Sequence, residues 1–319
     1  MLSEDPDPEA PMAPAPSRNS LLQPLSPSQD RILAGIGLML LAMFAFSLND
    51  VMGKWLVATY GVAQLLLIRS FAGLLMLAPA IHRVGLKTIL TPDRIGLHIV
   101  RAICSTAEVA LFYWAVVYLP LADTVAFYLA SPIFVTILAV IFLKEQVGWR
   151  RWSAIFIGFI GVVIAVRPTG AGMGWPALIA ISGSLIFAGA NTLTRRLAGT
   201  NEVTLVTWQV LSALAFGLAF AWMQWAPLTL RDFLALSLLG IVGNLAHMGV
   251  NRSLRYAPAA VVVPYQYSLI VWAVVLGYLF FGDWPKPHVF VGAGIIVAAG
   301  MYIFIREQVR AREKANSAG

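Results

Sequence analysis

One cysteine, four histidines and a charged fraction of only 12% mark what this 319-residue chain largely goes without. A lone thiol, Cys104, cannot close a disulfide within the chain, and no metal or haem motif can be assembled around it. Cys104 lies in an apolar stretch and reads as a small buried apolar residue. No cofactor is expected. A membrane-embedded enzyme would need a nucleophile–base set or metal ligands at depth, and four scattered histidines offer neither. No phosphate-binding loop and no soluble region able to hold a nucleotide are present, so neither ATP-driven work nor enzymatic activity is expected. Soluble domains carry about 25% charged residues, so the chain has too little charge to clothe a surface that faces water.

What it has instead is apolar length, with 59% hydrophobic residues. A helix needs about 20 mostly apolar residues to span a bilayer. Ten segments qualify: 32–56, 62–82, 95–118, 120–143, 152–167, 174–195, 203–224, 231–254, 258–281 and 287–306. The expected fold class is all-α and integral to the membrane. Pro120 and Pro258 suit first helical turns, where a missing N–H is tolerated. Residues 1–30 hold seven prolines and five acidic residues without an apolar run, and predict a disordered cytoplasmic tail. Residues 307–319 read as a basic cytoplasmic tail.

The apolar pattern occurs twice. An offset of 138 residues pairs Tyr118 with Tyr256, Pro120 with Pro258, Phe142 with Phe280 and Glu145 with Asp283. An offset of 142 pairs Asn49 with Asn191 and Lys54 with Arg196. Each copy, 31–168 and 171–306, holds five segments. An odd number of crossings makes the second copy enter from the other side, so ten transmembrane helices form two inverted five-helix repeats. With the N-terminus inside, 16 Lys and Arg fall on the inner side and four on the outer, while Arg69 and Arg101 sit within or at the edge of helices. That bias places both termini in the cytoplasm. The net charge of +7 therefore reports topology, and no nucleic-acid partner is expected. Trp55, Trp149, Trp152, Trp175, Trp225 and Trp284 lie at helix ends as interfacial anchors.

Polar side chains at membrane depth are costly and should face the interior of the bundle. Asn244, His247 and Asn251 make one stripe on the eighth segment. Arg101, Ser105, Glu108 and Phe112 make another on the third. Thr124, Tyr128 and Ser131 line the fourth beside Pro132, and Tyr265, Ser268 and Trp272 line the ninth after Pro264. Asn49 and Asp50 lie on the first segment, Asn191 on the sixth. Arg69 and Glu108 are expected to neutralise each other or Asp50, either as a structural ion pair or around a carboxylate that titrates as the cavity changes sides. Asp50 and Lys54 fit an i, i+4 surface pair. Glu145 and Asp283 read as helix-capping groups at loop junctions. The candidate substrate-binding set is Asn49, Arg69, Glu108, Trp114, Tyr128, Ser131, Asn191, Asn244, His247, Asn251, Tyr265, Gln266, Tyr267 and Trp272. His247, with an ordinary pKa of about 6.5, and Glu108 make protons a candidate coupling ion.

The run Asn-Asp-Val-Met-Gly-Lys at 49–54 carries a family resemblance, as do Ile-Arg-Ser-Phe-Ala-Gly at 68–73 and Tyr-Leu-Pro-Leu-Ala-Asp-Thr-Val at 118–125. Phe-Leu-Lys-Glu at 142–145 and Gly-Phe-Ile-Gly-Val-Val at 158–163 extend it. With the duplication, these resemble the drug/metabolite transporter superfamily, EamA type, over residues 31–306. Gly282-Asp283 departs from the usual Gly-Glu of the second repeat. The resemblance implies a multi-pass carrier of the bacterial inner membrane that moves a small molecule by alternating access, as monomer or homodimer. Its wording is similar to riboflavin carriers and to S-adenosylmethionine carriers. Riboflavin is preferred, because Trp114, Tyr128, Tyr265, Tyr267 and Trp272 suit a flat neutral ring. A cation would want free carboxylates, and Asp50 and Glu108 are expected to be paired. An S-adenosylmethionine carrier, or an exporter of amino acids or drug-like metabolites, is the alternative.

Overall fold

Apolar runs this long leave the backbone one way to satisfy its own N–H and C=O groups away from water, which is to coil on itself. The structure, a computed structural model, describes residues 27–143, 149–166, 174–197, 199–257 and 259–317, and every regular element among them is helical. In order these are α1 (Pro27–Val57), α2 (Val62–Val84), α3 (Leu86–Leu90), α4 (Ile95–Tyr118), α5 (Leu121–Tyr128), α6 (Ser131–Leu143), α7 (Trp149–Val166), α8 (Trp175–Arg196), α9 (Glu202–Phe220), α10 (Leu230–Tyr256), α11 (Ala259–Val262), α12 (Ser268–Phe281) and α13 (Pro287–Ser317). Seven stretches are long and apolar enough to cross a membrane, one of them running through α5 and α6, and three shorter apolar helices accompany them.

Boundaries follow local chemistry. Asn201 caps α9 by accepting from the Val203 amide at 2.8 Å. Thr229 caps α10, accepting from the Asp232 amide at 3.1 Å. Gly282 ends α12 at φ 67°, a conformation costly for any residue with a Cβ. The fourth and ninth segments are not the continuous helices expected. The fourth breaks at Leu129–Ala130 between α5 and α6, and the ninth passes through a 3₁₀ turn, Val263–Tyr267. A proline follows each start, and without an N–H it cannot complete the ladder through the break. The Glu145 and Pro258 expectations lie outside the described residues, as do residues 1–26. Residues 27–30 belong to α1, and α13 continues as helix through the expected 307–319 tail as far as Ser317.

Large apolar side chains cover the outside, while several polar ones are buried within an otherwise apolar core. Leu41, Phe156 and Leu279 are more than 60% exposed, whereas Ser47, Gln64, Thr124, Ser184 and Ser253 are wholly buried. That distribution suits lipid, where small and polar residues make the helix contacts. The principal pairs are α1 on α10, α2 on α9, α4 on α8 and α7 on α13, with α1 also on α12 and α8 also on α6. Gly217 lets α9 approach α2 so closely that a Cβ there would lie 2.6 Å from the Leu67 Cα.

Contacts define two ends. At one, Tyr60 donates to Asp232 at 2.7 Å, Gln64 exchanges hydrogen bonds with the Ala226 backbone at 2.9 Å, and Lys54 pairs with Asp283 at 2.6 Å. At the other, the Trp208 indole donates to the Ile89 carbonyl at 2.9 Å, and Arg101 donates to Thr194 and to the Leu205 carbonyl. Ser253 closes this end onto the Gly35 carbonyl at 2.6 Å. Phe142 belongs here too, through Arg196, so Phe142 and Gly282 lie at opposite ends.

Candidate functional site

Arg69 stands on α2 about two turns from its start, where an unpartnered guanidinium would be costly. Its Nη1 donates to the Tyr113 hydroxyl on α4 at 2.8 Å, and its guanidinium lies 5.5 Å from the Tyr113 ring centre. Tyr113 in turn donates to Asn49 Oδ1 on α1 at 3.2 Å, and Asn49 Nδ2 donates to the Leu239 carbonyl on α10 at 2.6 Å. One network thus joins α1, α2, α4 and α10. Glycines make room for it. A Cβ at Gly53 would strike the Tyr113 ring, one at Gly240 the Arg69 carbonyl, and one at Gly243 would crowd Arg69 Nη2 and Asn49 Nδ2.

Two carboxylates share this neighbourhood, and their pairing differs from expectation. Lys54 does not turn back to Asp50 one turn before it; it bonds Asp283 at 2.6 Å and the Leu119 carbonyl at 3.2 Å and lies over the Phe281 ring. Arg69 forms no ion pair with Glu108 or Asp50, and its Nη1 is on Tyr113 instead. The charges of Asp50, Glu108 and Arg69 nonetheless act on one another. Both carboxylates are half-buried, and among the described residues neither accepts a hydrogen bond. Carboxylates left so at membrane depth call for water or a ligand.

Aromatic rings wall the charged centre. Phe46, one turn before Asp50, meets His247 edge-on at 4.7 Å, and Phe44 meets Trp272 at 5.1 Å. Phe112, one turn after Glu108, meets Tyr128 at 5.2 Å, and Phe187 lies beyond at 6.3 Å. The Tyr128 hydroxyl donates to the Glu108 carbonyl at 2.9 Å, which ties the residue before the helix break to the α4 backbone at Glu108. His247 is exposed and feels the charge of Arg69.

Of the expected site residues, Asn49, Arg69, Glu108, Tyr128 and His247 therefore fall in or beside this centre, whereas Trp272 meets Phe44 on another face of α1. Others lie elsewhere. Trp114 is 47% exposed, and its ring lies tilted 5.9 Å from that of Trp175. Asn244 donates to the Gly73 carbonyl at 3.3 Å, and Asn251 donates to Glu202, both between helices. Tyr267 packs its hydroxyl against Gly300 of α13, Tyr265 is exposed, and Gln266 is half-buried between them. Ser131 is buried at the start of α6, and Asn191 is half-buried on α8. Sequence reasoning missed Tyr113, Phe44, Phe46 and Phe187. An aromatic in a membrane helix costs nothing, so nothing in its own segment distinguishes it. For Tyr113 the only trace is a glycine 60 residues earlier, Gly53. No cluster of metal-ligating side chains occurs among the described residues.

Comparison with known proteins finds membrane transporters among the relatives of this chain. A riboflavin transporter of Rhizobium johnstonii is 31% identical over 301 residues, spanning 91% of this chain and 97% of the relative. An S-adenosylmethionine uptake transporter of Rickettsia bellii is 25% identical over 275 residues, spanning 86% and 94%. A solved crystal structure shares the fold with a TM-score of 0.58 at 16% identity, over 86% of this chain and 97% of its own. Residues 33–167 and 174–305 each match the EamA-like transporter family, and with both tandem stretches matched this multi-pass membrane chain belongs to that family.

Proposed function

We propose that the chain carries riboflavin across the bacterial inner membrane by alternating access, through ten spans arranged as two inverted five-helix halves, 31–168 and 171–306. The observation that carries the reading is the charged centre of Arg69, Asp50 and Glu108 inside an aromatic wall, where a flat polar ring could both stack and hydrogen-bond. The 31% identity to the Rhizobium johnstonii riboflavin transporter supports the cargo.

The helix pairing supports the inverted halves. Numbering the spans one to ten and exchanging each with the span five places away turns α1 on α10 into α8 on α4, and α1 on α12 into α8 on α6 with α5. The pairs α2 on α9 and α7 on α13 map onto themselves. The seven long and three shorter apolar helices fit ten spans. Lys54, Arg231 and Lys286 stand at the Tyr60 end, sparse in basic residues, which favours that end as the outer one and cytoplasmic termini. Lys54–Asp283 then closes the pathway outside, while exposed His247 favours an approach from the cytoplasmic end.

A second reading, S-adenosylmethionine uptake, is favoured by one observation. The carboxylates expected to be engaged by Arg69 and Lys54 carry no ion pair, so they are free to take a cation. Uptake of radiolabelled riboflavin into a riboflavin auxotroph expressing the chain, with and without excess S-adenosylmethionine, separates the two. Rescue at micromolar riboflavin that the competitor leaves intact is expected. No rescue would remove riboflavin as cargo. A protonophore tests coupling, and flux that persists in its presence would mark facilitated diffusion.

A further inference from the structure

The charged centre has both signs in one place, and that composition constrains what part of a cargo it can hold. Arg69 uses Nη1 on Tyr113, with its guanidinium 5.5 Å from that ring's centre, and its other N–H groups meet no acceptor among the described residues. Asp50 and Glu108, with no protein donor among the described residues, offer only acceptors while ionised. An anion would satisfy Arg69 and be repelled by two carboxylates. A simple cation would satisfy the carboxylates and be repelled by Arg69. A neutral edge that alternates acceptor and donor satisfies all of them without placing a new charge in the membrane.

We infer that Arg69, aimed by Tyr113 and Asn49, and the Asp50 and Glu108 carboxylates read the imide edge of a flat heterocycle, Arg69 donating to a ring carbonyl and a carboxylate accepting the ring N–H. This rests on the riboflavin reading, whose ring system carries such an edge, a N–H between two carbonyls, and it assigns that edge to the centre of the site. Tyr113 is a positioning residue. It acts through Arg69, and among the described residues its hydroxyl is the one group that ties the guanidinium to Asn49.

The test uses purified full-length protein in proteoliposomes and radiolabelled riboflavin. The competitor is 3-methylriboflavin, which keeps both carbonyls and replaces the imide N–H by a methyl group. Against the wild type it should inhibit at least about tenfold more weakly than riboflavin, the loss expected when a charge-assisted bond is exchanged for a buried methyl against a carboxylate. In Asp50→Asn or Glu108→Gln, whichever faces the N–H, that preference should collapse to within about threefold. Tyr113→Phe should raise the riboflavin KM about tenfold and leave Vmax nearly unchanged, because one lost hydroxyl lets the guanidinium turn. A purely structural Tyr113 would instead lower Vmax, through the amount of inserted protein, at constant KM. Equal inhibition by the two flavins, or a Tyr113→Phe variant with that structural signature, would overturn the inference while leaving riboflavin as cargo. Absence of any riboflavin uptake by the wild type would be seen before a variant is made, and would overturn the cargo and the inference together.

Discussion

Gly240 is where one methyl group matters most. A Cβ there would meet the Arg69 carbonyl, and backbone cannot swing aside as a side chain can. Gly240→Ala should cost about 1–3 kcal/mol, the range for overpacking, read as a lower midpoint in thermal unfolding in detergent. Gly189, with nothing within 4 Å of an added Cβ, is the control, and its alanine variant should be neutral or slightly stabilised. At this scale the sequence disclosed the charges but not their partners. Arg69 and Glu108 stand out because ionised groups in an apolar run are rare. Spacing along one helix suggested Lys54 for Asp50, yet Lys54 reaches a residue 229 positions away. His247→Ala and Tyr128→Ala should abolish uptake while membrane insertion, followed by a terminal tag, persists. Normal uptake by both would put the cavity elsewhere.

Helices and their ends were legible where a single physical rule governs them. Apolar length marked seven long helices and three shorter ones, and Pro120 and Gly282 marked connections between them. The broken fourth and ninth segments were legible only as a loosening, because whether a proline bends or interrupts a helix depends on what packs beside it. Here Tyr128 fills the space beside the first break, with its hydroxyl on the Glu108 carbonyl. Between α1 and α2, Tyr60 donates to Asp232, and this bond, with burial and the carboxylate charge, raises the hydroxyl pKa above its ordinary value. A raised folded-state value means that the contribution is complete below the unfolded pKa of about 10 and is lost only as pH climbs through the folded one. Tyr60→Phe should therefore lower the unfolding midpoint by the same amount at pH 6 and pH 8, and converge with the wild type only in strong alkali. A difference that already changes between pH 6 and pH 8 would mean the bond is not what stabilises this turn.

Across the whole molecule, the repeat was visible in sequence because helix-end motifs recur at fixed offsets, whereas the Tyr113–Asn49–Leu239 network that holds Arg69 was not, since it gathers groups from four helices. The lone cysteine makes topology easy to probe. In a Cys104→Ser background, single cysteines at Thr59, Gln224 and Trp284 should react with an impermeant maleimide added to intact cells. Trp284 is used in place of Gly282, whose positive φ does not suit a cysteine. Cysteines at Thr91 and Asn201 should react only after the membrane is opened. Labelling of both groups from one side would end the inverted arrangement.

The Lys54–Asp283 clasp has a further consequence. Its side chains are 15% and 30% exposed, so water and small ions reach them. Attraction between such charges fades as the Debye length falls from about 10 Å at 0.1 M salt to about 3 Å at 1 M. Adding an inert electrolyte to one compartment alone would loosen this fastening while sparing the dry contacts between helices. The carrier would then sense the saltiness of a single side of the membrane, its turnover changing with it.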